Sequence, residues 1–147
     1  MQRRFLLVSL ALASAGLQGC AAPGPAFSSL EPVAAGKGHL YLYRKSGVYA
    51  PAAKYKVHSK DGGLVGELYN GSYLLLPLSP GRHQFTVDER GFAGPKSFDI
   101  DVQAGKSYFV EYDSGLGMIL GTGHLSFSRE RSEEQALQDL RGLNRAN

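Results

Sequence analysis

SYLLLPLSPGRHQFTVD, residues 72–88, is the stretch that decides the fold class. On either side of Ser79-Pro80-Gly81-Arg82 the apolar side chains fall on alternate positions, Leu74, Leu76 and Leu78 before it and Phe85 and Val87 after it. That period of two marks half-buried β-strands, and the Pro-Gly pair between them is turn chemistry. Closed as a hairpin on a four-residue loop, the segment sets Leu78 opposite His83, Leu76 opposite Phe85 and Leu74 opposite Val87, one inner face throughout.

Outward from this segment the same alternation recurs. Strands are expected at His39–Arg44, Lys54–Ser59, Leu64–Tyr69, Ser72–Leu78, His83–Asp88, Lys96–Val102, Lys106–Asp113 and His124–Arg129. A two-residue Asp61-Gly62 turn pairs Tyr55 with Leu68, Lys56 with Glu67 and Val57 with Gly66, so that opposite charges and apolar groups meet. A three-residue loop, Gln103-Ala104-Gly105 with Gly105 left-handed, pairs Ile100 with Tyr108 and Phe98 with Val110. Ser132 followed by Gln135 is a capping box, and Ala136, Leu137, Leu140 and Leu143 form the apolar stripe of a short helix ending near Gly142. The expected fold is all-β: an antiparallel β-sandwich of about seven to eight short strands, transthyretin-like or immunoglobulin-like, with a short C-terminal helix.

The N-terminal end has a different character. Met1 to Arg4 is positively charged, and Phe5 to Ala15 (FLLVSLALASA) is apolar and uncharged, the two-part pattern of an export signal. It runs into Leu17-Gln18-Gly19-Cys20, which resembles the lipobox of bacterial lipoproteins, and Cys20 is the chain's single cysteine. The resemblance implies lipid on the Cys20 thiol and cleavage just before it; Gln18 departs from the small residue usual at its position. An uncleaved membrane anchor is the competing reading, since Phe5 to Ala22 approaches the ~17–25 residues of a spanning helix. Gly16, Gln18, Gly19 and Pro23 oppose it. Arg3-Arg4 only brushes the twin-arginine pattern, so general secretion is expected. Ala21 to Pro32, rich in Ala, Pro, Ser and Gly, reads as a flexible tether. Ala21 is not the aspartate that retains many such proteins at an inner membrane, which leaves outer-membrane sorting open. The expected organisation is a cleaved signal at 1–19, a lipidated tether at 20–36, a β-sandwich domain at 37–131, and a C-terminal helix and tail at 132–147.

Charge narrows the partners. The chain has 16 Lys and Arg against 13 Asp and Glu, and two of those cations, Arg3 and Arg4, leave with the signal. A nearly neutral mature protein has no electrostatic footprint for nucleic acid. With Cys20 acylated, no thiol remains for a disulfide or for redox chemistry.

The body of the chain also resembles a known family. The runs Gly38-His39-Leu40-Tyr41-Leu42-Tyr43-Arg44, Val65-Gly66-Glu67-Leu68, Asn70-Gly71-Ser72-Tyr73, Pro80-Gly81-Arg82-His83 and Ala104-Gly105-Lys106-Ser107-Tyr108-Phe109-Val110 resemble the bacterial proteins grouped as domain of unknown function 2846. The resemblance runs from about Gly36 to Arg129. It implies a small secreted or lipidated β-domain and carries no catalytic residues with it.

No other constellation assembles a site. His39, His58, His83 and His124 invite a metal, but they lack a paired spacing and read as surface or strand-end residues, so no metal ligands are assigned. Asp99 and Asp101 share a face of one strand, with Glu111 expected on the neighbouring strand; a polar, convex sheet face explains them better than an acid–base pair. Asp113-Ser114-Gly115 lacks the flanking glycines of a nucleophile elbow. Tyr41, Tyr43, Tyr55, Tyr108 and Tyr112 are expected in the core, and Tyr49, Tyr69 and Tyr73 as surface contacts. Ser114 to Gly123 (SGLGMILGTG) reads as an apolar crossover covering the core, or alternatively as a loop docking on the bilayer or a partner.

The resulting expectation is a non-enzymatic, lipid-anchored β-domain of the cell envelope, held at the outer membrane facing the periplasm through lipid on Cys20. Its role is structural or the binding of a protein or polymer, without cofactor and without nucleic acid. The alternatives are a small-ligand or metal-binding lipoprotein and, third, an envelope hydrolase.

Overall fold

The computed structural model describes residues 21–48, 50–88, 95–113 and 127–147. Its strands are β1 (Gly38–Arg44), β2 (Tyr55–Ser59), β3 (Gly63–Leu68), β4 (Ser72–Leu78), β5 (Gly81–Val87), β6 (Lys96–Val102), β7 (Ser107–Asp113) and β8 (Phe127–Glu130). Helix α1 (Glu133–Leu140) and a two-residue strand, β9 (Asn144–Arg145), complete the described elements. Among the described residues they form a two-layer β-sandwich. One sheet has the order β8-β7-β1-β4-β9 and the other β3-β2-β5-β6. Pairing is antiparallel except at β1–β7 and β4–β9, which run parallel.

The strands expected from alternation are found, the last of them within the described residues only from Phe127 on, but two of the expected pairings are not. β4 pairs with β1, and β5 with β2 and β6, so Ser79-Pro80 carries the chain from one sheet to the other instead of closing a hairpin. Leu74, Leu76, Phe85 and Val87 do share one core, meeting across the sandwich and not side by side. Gly81, at φ 129°, makes this corner. β6 and β7 likewise lie in different sheets, which removes the Ile100–Tyr108 and Phe98–Val110 pairs, although Gly105 is left-handed as expected (φ 79°). The β2–β3 hairpin keeps Tyr55–Leu68, Lys56–Glu67 and Val57–Gly66. It then shifts register, so that Ser59 meets Gly63 (φ 71°) across a three-residue loop. The extra residue is Val65, a bulge in β3.

Two cores follow. The first fills the sandwich with Leu40, Leu42, Val57, Leu68, Leu74, Phe85, Val87, Tyr112 and their neighbours. The second lies on the opposite face of the β1-containing sheet, where Tyr41, Tyr43, Tyr73, Leu75 and Phe109 pack under Ala136, Leu140 and Leu143. β1 is therefore buried on both faces along its whole length. Ser132 caps α1 by accepting from the Gln135 amide, and Gly142 (φ 83°) turns the chain into β9.

The segment expected to be a free tether belongs to this second core. The Gly24 amide donates to the Arg145 carbonyl (2.9 Å), the Arg145 amide to Pro25 (2.9 Å) and the Phe27 amide to Leu143 (2.8 Å). Phe27 packs edge-on against Tyr41 and Tyr73, and the Glu31 amide donates to the Tyr41 hydroxyl (2.9 Å). Composition suggested disorder because Ala, Pro, Ser and Gly dominate; Phe27 and Leu30 nevertheless pack against the second core, and Ala22 is buried.

Candidate functional site

Among the described residues two charged clusters stand out, and they differ in what water can reach. The first lies beneath α1. Glu111 on β7 is 4% exposed; its Oε1 accepts from Lys45 Nζ (2.9 Å) and its Oε2 from Arg131 Nε (2.7 Å) and Nη2. Lys45 also reaches Asp139 of α1 (3.6 Å), whose other oxygen accepts from the Tyr43 hydroxyl (2.9 Å). Burial alone would raise the Glu111 carboxyl, but the ion pairs with Lys45 and Arg131 outweigh it and hold the group below the usual carboxylate range. The hydrogen bond to Glu111 raises Lys45 in turn. Burial, and then the bond to Asp139, push the Tyr43 phenol upward. With both carboxylate oxygens engaged by cations, Glu111 acts as a strut tying β7 to the segment after β1 and to the link between β8 and α1.

The second is an open depression of about 370 Å³ on the solvent face of the β2–β5–β6 sheet, lined by Lys60, Asp61, Arg82, Gln84 and Asp99. Arg82 is paired with Asp99 at 3.1 Å, and their mutual attraction raises the Arg82 guanidinium further. The groups are water-exposed and of both signs. Such a surface offers ionic and hydrogen-bonding contacts to a partner but no enclosed volume in which a carboxyl would be shifted for acid–base work.

The anticipated residues scatter. Asp99 and Asp101 do share the exposed face of β6, whereas Glu111 lies in the other sheet beneath α1, so the three carboxyls never meet. His58 pairs with Asp88 (3.0 Å), and His83 Nε2 contacts the Ser79 carbonyl (2.8 Å). His39 lies at the start of its strand, as expected, but not at the surface. It is 5% exposed on β1, and its Nδ1 has no hydrogen-bond partner among the described residues. Among these residues no three His, Cys, Asp or Glu side chains cluster. Tyr73, expected at the surface, is buried against Phe27 and Tyr41; Tyr69 is half-buried with Lys54 over its ring. Cys20, Tyr49, Ser114 to Gly123 and His124 lie outside the described residues.

Sequence reasoning passed over Arg44. It is 2% exposed, donates to the carbonyls of Ala53 (2.8 Å) and Ala50 (2.9 Å), and lies over the Tyr55 ring. Its position as an apparently alternating strand end concealed it. It organises the turn after β1, where Ala50 adopts φ 43°.

A β-sandwich backed by one short helix, with one charge cluster locked beneath the helix and the other open on a sheet face, defines a small all-β domain. Within that class the chain belongs to the family DUF2846, described as a protein of unknown function, whose model matches residues 34–124. The matched span takes in β1 to β7 and leaves α1, β9 and the docked segment before it outside. No curated protein matches the sequence significantly.

Proposed function

We propose that the mature protein is a non-enzymatic domain of a bacterial cell envelope, anchored by lipid on Cys20 and sorted to the periplasmic side of the outer membrane. The observation that carries this reading is the position of the single cysteine. It follows a charged and then apolar leader at Leu17-Gln18-Gly19, and the fold already holds Ala22, two residues further on. Cleavage before Cys20 leaves every described residue of the sandwich in the mature chain. No helix among the described residues is long and apolar enough to cross a membrane, and an acyl anchor does not need one.

The exposed face of the β2–β5–β6 sheet, with Lys60, Arg82, Gln84 and Asp99, is the surface offered to an envelope protein or polymer. The charged cluster under α1 serves stability and the open one serves recognition. Cys20→Ser tests the anchor, since acylation and processing both need the thiol. The variant is expected to take up no labelled fatty acid and to accumulate as unprocessed precursor. Normal processing and membrane partitioning of Cys20→Ser would exclude the reading.

A further inference from the structure

We propose that the lipid holds the sandwich directly against the bilayer, with the sheet edge formed by β9 and residues 22–27 turned toward the membrane. This rests on the lipid-anchor reading and adds an orientation to it.

The lever is the length of chain left between the anchor and the fold. Ala22 is 6% exposed, the Gly24 amide is bonded to Arg145, and Ala26 bridges Asn144. Adjacent Cα atoms are about 3.8 Å apart, so the Cys20 Cα lies within about 7 Å of that of Ala22. Were residues 21–36 a free linker, its ends would separate by about 20–24 Å on average and could extend to about 55 Å. The domain's own radius of gyration is about 14 Å. A slack of about 7 Å is smaller than that radius, so an acyl chain in the bilayer keeps one side of the molecule at the headgroups.

Strand direction identifies the side. Residues 24–27 run antiparallel to 143–145, and β9 runs parallel to β4, with Asn144 beside Ser72 and Arg145 beside Tyr73. The Asn147 side chain then bonds both backbone groups of Leu75. Followed backward from Phe27 to Gly24, the chain therefore runs along the outer side of β9 in the direction in which β4 runs toward Pro77, and Cys20 is four residues further on. The β6–β8 side of the sandwich, carrying Ser97, is the opposite edge.

The test uses full-length protein matured in a bacterial host. Because acylation consumes the chain's single thiol, introduced cysteines can be labelled alone. Pro77→Cys and Ser97→Cys, each carrying an environment-insensitive fluorophore, are reconstituted in phosphatidylethanolamine–phosphatidylglycerol vesicles containing a headgroup quencher. Quenching is expected to be several-fold stronger at position 77 than at 97. Gly24→Val supplies the contrast, since a side chain there runs into the Arg145 carbonyl, at 2.5 Å from the first added carbon. Phe27→Ser undoes the same docking from its apolar end. Either variant should stay on the vesicles while quenching at 77 falls to the level at 97. Equal quenching at both positions in the otherwise unaltered protein overturns the orientation while leaving the anchor intact. Failure to associate with vesicles overturns the anchor and the orientation together.

Discussion

Replacing Glu111 with glutamine keeps the volume and removes the charge from the cluster under α1. Breaking a buried ion pair at one end costs about 3–5 kcal/mol when the stranded partner stays buried. Here the partners can partly rehydrate, because the side chains of Lys45 and Arg131 are 46% and 19% exposed. That screening reduces the expected loss to about 2–3 kcal/mol, or about 10 °C in melting temperature for a domain of this size. The loss must also depend on pH. The folded carboxyl is held below its ordinary value, so its contribution is complete above the unfolded value of about 4.3 and is lost as pH falls through the lower folded value. Urea unfolding followed by tyrosine fluorescence, which is clean in a chain with eight Tyr and no Trp, should show the full gap between the two proteins at neutral pH. The gap should narrow as the pH falls below the ordinary carboxylate range and protonation removes the charge from the unsubstituted protein too. A difference under about 0.5 kcal/mol at neutral pH, or one that does not change with acid, would refute the strut.

Two further substitutions probe the packing. Phe27→Ala should cost about 2 kcal/mol, below the range for a fully buried Phe because this ring is only partly covered; a chain starting at Gly36 should lose at least as much, and unaltered denaturation curves would contradict the docking of residues 22–31. Gly38→Ala puts a carbon 2.6 Å from Val102 Cγ1 and 2.8 Å from the Gln103 carbonyl. It should destabilise by about 1–3 kcal/mol in thermal melts, and a neutral result would mean that β1 and the β6–β7 corner do not approach as described.

What the sequence disclosed and withheld follows from what alternation measures. Period-two patterning locates strands and inner faces, and it placed Leu74, Leu76, Phe85 and Val87 together. It cannot tell a hairpin from a corner between sheets, because both put residues of the same parity inside. The β4–β5 and β6–β7 pairings failed on that point alone. Asp61-Gly62 came closer, since opposite charges at Lys56 and Glu67 fix a register that parity leaves free. The second core was legible in principle: His39 to Tyr43 and Tyr73 to Leu76 are nearly continuous apolar runs, the mark of strands covered on both faces. Reading only their inner halves made Tyr73 and His39 look exposed. Glu111 and Arg44 were hidden because their partners, Arg131 and the carbonyls of Ala50 and Ala53, come from segments whose approach depends on the tertiary fold. The open depression is of the same kind, since the turn after β2 reaches Arg82 and Asp99 only once β2 and β5 are paired.

The lipid anchor at Cys20 is tested most directly by the mass of the N-terminal peptide of the protein isolated from its native membrane. The expected peptide begins at Cys20 and carries the mass of a diacylglyceryl group, with residues 1–19 absent. A peptide that retains Met1, or one that contains Cys20 as a free thiol, would contradict the account.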